Sequence, residues 1–154
     1  MGRGIGTGKG RLEQDGARGA LLVEAARCWE RRPGCSGGFP AGMVRRLCAA
    51  GLGDVVVALD GLLVVAAVHA TPPLVLGSPG SALDTPDSRL LAQVLESALD
   101  GLGLGDPAVD RLSFRLGARG GVLMRRGLAR FGSPCASVCQ TALPPAGAFM
   151  AAAE

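Results

Sequence analysis

Apolar residues recur at helical spacing in three stretches of the chain. Over 17–31, Leu21, Leu22, Ala25, Cys28 and Trp29 share one side, while Arg18, Glu24, Arg27 and Arg31 take the other. The run PGCSGGFP (33–40) breaks that pattern. A short helix is predicted over 41–50, with Pro40 suited to its entry, Gly51 to its end, and Met43, Val44, Leu47 and Cys48 on its inward face. The third stretch has the plainest start signal. Thr85 offers a capping hydroxyl, Pro86 a preset first turn, and Asp87 a charge favoured at a helix N-terminus. Leu90, Leu91, Val94, Leu95, Ala98 and Leu102 then form one stripe, with Gly101 as its stop signal.

Elsewhere the pattern predicts strands. DVVVALDGLLVVAAVHA (54–70) is apolar almost throughout. A membrane helix needs about 20 unbroken apolar residues, and Asp60 beside Gly61 interrupts this run at its middle, where a carboxylate is costly in lipid. Val favours strands, and Asp-Gly between apolar runs signals a two-residue turn, because both positions tolerate positive φ. Residues 55–59 and 62–68 are therefore expected to pair as a hairpin turned at Asp60 and Gly61. Insertion of 52–76 into a membrane is the alternative.

After a Pro-, Gly- and Ser-rich loop (71–87) and the stripe described above, RLSFRL (111–116) alternates Leu112, Phe114 and Leu116 with Arg111, Ser113 and Arg115. That period of two describes a strand with one wet face. GARG (117–120) then predicts a turn and GVLMRRG (121–127) a returning strand. A last strand is expected over 136–142, and PPAGAFMAAAE suggests a short terminal helix.

From residue 41 the predicted order is helix, strand, strand, helix, strand, strand, strand, helix, and three segments give that order a family likeness. AGLGDVVVALDGLLVVAA (50–67) resembles the first helix end and first hairpin of the roadblock family of small regulatory domains. RLLAQVLESALDGLGLGD (89–106) resembles its central helix and glycine-rich exit, and RLSFRLGARGGVLMRRG (111–127) the strands that follow. The chain departs from the family in its long proline-rich 71–85 loop and in Gly132-Ser133-Pro134, which interrupts the last strand. The resemblance implies an α+β fold, an antiparallel sheet of about five strands with helices on both faces. It also implies a homodimer that serves as a scaffold or regulator of a small GTPase or motor complex. In that family the central helix contributes to the dimer surface, which marks Leu95 and Leu99 as contact residues. The expected layout is a flexible Gly-rich arm (1–16), an N-terminal helix and Gly/Pro linker (17–39), and one roadblock-like domain (40–154).

Composition narrows the function classes. At 154 residues, 48% hydrophobic and 19% charged, the chain is long and apolar enough for one core. The net charge of +3 is too small to argue for nucleic acid, and 3% aromatic residues provide no stacking platform beside Arg45-Arg46 or Arg125-Arg126. There is no Tyr or Asn, and Ile5 and Lys9 are the sole Ile and Lys, which points to GC-rich coding DNA. An unselected GC-rich reading frame is therefore a second alternative, opposed by the organised periodicity. Five cysteines, an odd number without a secretory leader, favour reduced thiols in a cytoplasm. CASVC (135–139) has neither a second pair nor a nearby His to complete a zinc site.

No motif announces catalysis. MGRGIGTGKG misses the P-loop pattern, since Arg3 stands where its first Gly belongs and Gly10 replaces the hydroxyl. His69 is the only His and ends an apolar run. The expectation is a cytoplasmic, non-enzymatic interaction module without cofactor, nucleic acid or membrane partner.

Overall fold

The computed structural model describes residues 9–29, 38–82, 84–101 and 105–131. Five helices follow in order: α1 (Lys9–Cys28), α2 (Ala41–Ala49), α3 (Val56–His69), α4 (Pro86–Leu99) and α5 (Pro107–Leu128). A single 3-10 turn, Gly53–Val55, leads into α3. Among the described residues there is no β-strand. The expected α+β sheet is therefore corrected to a helical fold, and both roadblock-like hairpins are helices. The segments 1–8, 30–37 and 132–154 lie outside the described residues, and with them the Gly-rich opening, the last expected strand, CASVC and the terminal helix.

Two of the predicted helices stand as expected. The Thr85 hydroxyl accepts from the Ser88 N–H at 3.0 Å and Pro86 occupies the first turn, so α4 starts at its predicted cap. Leu91, Val94, Leu95 and Ala98 are buried, and Gly101 follows with φ +72°. In α2, Met43 and Leu47 are buried and Val44 and Cys48 half-buried. The N-terminal helix begins earlier than predicted, at Lys9 inside the expected arm. Its Leu22, Ala25 and Ala26 join the common core, so α1 is part of the domain rather than an appendage.

The apolar run 54–70 is the largest departure. It forms α3, which packs against α5, while α1 and α5 both pack against α4. Val56, Leu59, Leu62, Leu63 and Ala66 fall on one face of α3 and are buried. Asp60 makes no turn. Its Oδ1 accepts from the Trp29 indole N–H at 2.6 Å, a partner supplied from the end of α1 that accounts for a carboxylate within an apolar helix. Gly61 lies in the helix interior. At 14 residues, α3 is about 21 Å long, short of the roughly 30 Å of a bilayer core. Among the described residues no helix is long and apolar enough to cross a membrane.

The expected strands 111–116 and 121–127 are the two halves of α5. Leu112 and Leu116 are buried, but so is Val109, and that spacing is helical. Phe114, expected inward, is 89% exposed. A sharp bend separates the halves at Gly117, whose φ of 69° and ψ of 178° suit glycine almost alone. Along straight helix, Asp110 and Arg125 would stand about 22 Å apart, yet their side chains form an ion pair across the bend.

Candidate interaction surfaces

The bend in α5 creates the first candidate surface. Its N-terminal half is fixed by Asp106, whose Oδ1 accepts from the Ala108 N–H at 2.7 Å and whose Oδ2 accepts from the Ser97 hydroxyl. Those two bonds, the Ser97 one first, hold the Asp106 carboxyl below its usual range. Arg115 anchors the same half to the first turn of α4 by pairing with Asp87, and to the 71–85 loop by donating to the Pro72 carbonyl at 3.0 Å. The C-terminal half packs tightly against α3. A Cβ added at Gly120 would stand 2.6 Å from the His69 Cβ, so glycine alone permits that approach. Between the halves lies an open groove of about 520 Å³, lined by Ser113, Phe114, Ala118, Gly121 and Val122 and bordered by Asp110 and Arg125. The Ser113 hydroxyl is buried there without a hydrogen-bond partner.

The outward face of α3 is the second. Val57, Gly61, Val64 and Val68 succeed one another at intervals of four, three and four residues, which places them along one line of the helix. Val57 is 61% and Val68 54% exposed, and Val64 is half-buried. None of the four carries charge. A soluble helix ordinarily turns polar residues outward at such positions, which makes this line a candidate interaction surface.

The expected site residues fare differently. Leu95 is fully buried in the core. Leu99 is half-buried and packs against the same core. Asp60 and Gly61 form no turn, and Gly61 instead lies on the exposed α3 line. His69 is half-buried against α5. Among the described residues no group of His, Cys, Asp or Glu is placed to hold a metal ion. Burial and the Glu24 carboxylate raise the thiol pKa of Cys28. Cys48 is disulfide-bonded, a departure from the reduced thiols expected.

No protein-family model matches the chain, and comparison with curated proteins and with solved structures likewise finds no match. Two of the three segments that carry the roadblock resemblance, 50–67 and 111–127, are helical where the family has hairpins, and no comparison supports the family or the GTPase or motor role it implies.

Proposed function

We propose that the chain is a non-catalytic protein-interaction module that pairs with a second copy of itself through the outward face of α3. The observation that carries this reading is the uncharged line of Val57, Gly61, Val64 and Val68 on an otherwise well-packed helix. Two copies of a neutral strip meet without repulsion, and a two-fold axis near Gly61 lets each strip cover the other. A Cβ at Gly61 would meet nothing within 4 Å, so a second backbone has room to approach. The α3 sequence, VVALDGLLVVAAVH, holds no Lys or Arg. Helices that lie on membranes carry a basic polar face beside the apolar one, which favours a polypeptide over a lipid partner here.

Light scattering after size exclusion tests the proposal. The wild-type chain is expected to elute as two copies, and the Val57→Glu/Val68→Glu variant as one with unchanged helical circular dichroism. A wild-type monomer at high micromolar concentration would refute it. Cytoplasmic residence belongs to the same proposal and rests on the odd number of cysteines. The Cys48 disulfide stands against it, and alkylation of the chain in its source cell, with and without reductant, decides between them.

A further inference from the structure

The bent helix offers a surface that self-association through α3 does not use. We infer that the groove across the α5 bend receives an amphipathic helix of a partner protein, apolar at its centre and acidic along its edges. Phe114 and Val122, the latter 52% exposed, form the apolar walls, and Ser113 and Gly121 the floor. Around these walls the charge is one-sided. Arg111 precedes Phe114 by three residues, while Arg119 precedes Val122 by three and Arg126 follows it by four. On a helix surface such spacings are neighbours, so each of these positions adjoins an apolar wall, and the Arg111 Nε donates to the Pro107 carbonyl at 3.4 Å.

All three arginines are exposed, and none forms an ion pair among the described residues. The one carboxylate bordering the groove, Asp110, is already paired with Arg125. The groove is thus neutral inside and positive at its edges. A second copy would bring the same positive edges and be repelled, whereas glutamates along a partner helix would neutralise them.

The test uses the full chain in the Val57→Glu/Val68→Glu background, so that the fate of the α3 proposal does not affect it. Two synthetic helical peptides with the same leucine stripe, one edged with Glu and one with Lys, are titrated into the ¹⁵N-labelled protein. The Glu peptide is expected to shift the amides of Phe114, Ala118, Gly121 and Val122, and to bind more weakly as salt rises. The Lys peptide is expected to leave them in place. Reversing Arg111, Arg119 and Arg126 to Glu should weaken the Glu peptide about tenfold or more and admit the Lys peptide. If that triple variant loses helical signal, Arg126→Glu alone must move the preference in the same direction. Equal binding of both peptides would overturn the inference, as would binding of neither. Protection of Phe114 by phosphatidylserine vesicles without peptide binding would replace it with a membrane surface, and dimers formed through the groove would replace it with a second copy.

Discussion

Changing Gly61 to Ala separates the helical account of 54–70 from a hairpin by the sign of a single number. In α3 the residue lies in the helix interior, and nothing stands within 4 Å of an added Cβ. The substitution therefore creates no clash and removes the conformational freedom that glycine loses on folding. An exposed helix-interior Gly is about 0.8–1 kcal/mol worse than Ala. A gain of that size should raise the melting temperature by roughly 2–5 °C for a chain of this length. In a two-residue turn the same position would have positive φ, and Ala would instead destabilise by about 1–2 kcal/mol. Thermal melts followed by circular dichroism at fixed concentration read the difference. They belong in the Val57→Glu/Val68→Glu background, where self-association does not contribute to the midpoint. A lower midpoint for Gly61→Ala would refute the helix.

The opposite outcome is expected at Gly120, where Ala would place its Cβ 2.6 Å from the His69 Cβ and 3.0 Å from the Leu116 Cβ, neither of which can swing aside. Chemical denaturation should show a loss of about 1–3 kcal/mol. Trp29→Phe keeps most of the packing but removes the donor to Asp60, and should lower stability by about 1–2 kcal/mol in the same assay. Asp106 has a depressed carboxyl pKa when folded, so its contribution is present above the ordinary carboxylate value and is lost as pH falls through the folded one. Asp106→Asn, which can still cap, should therefore flatten the decline in stability below about pH 4.

The helices that were legible announce themselves locally. α2 and α4 have one apolar face each, and α4 has a hydroxyl cap followed by Pro. The start of α5 carries the same kind of signal in Asp106-Pro107, but the alternation of Leu112, Phe114 and Leu116 imitates a strand. Leu112 and Leu116 satisfy both periods, and only Val109 and the exposure of Phe114 decide between them. α3 is illegible for a different reason. Apolar residues surround it, so no period stands out, and Asp-Gly mimics a turn signal. What stabilises Asp60 is an indole 31 residues away, which no local pattern contains. The candidate surfaces share this property. The α3 line is visible in the sequence once a helix is assumed, whereas the groove depends on Gly117 folding one half of α5 back towards the other.

Self-association through α3 is tested most directly by isotope-filtered nuclear Overhauser spectroscopy on an equal mixture of ¹³C-methyl-labelled and unlabelled chains. Intermolecular cross-peaks are expected among the methyl groups of Val57, Val64 and Val68, and in the Val57→Glu/Val68→Glu variant the retained Val64 methyls should show none. Absence of intermolecular peaks, or peaks arising instead from the buried Val94 and Val109, would contradict it.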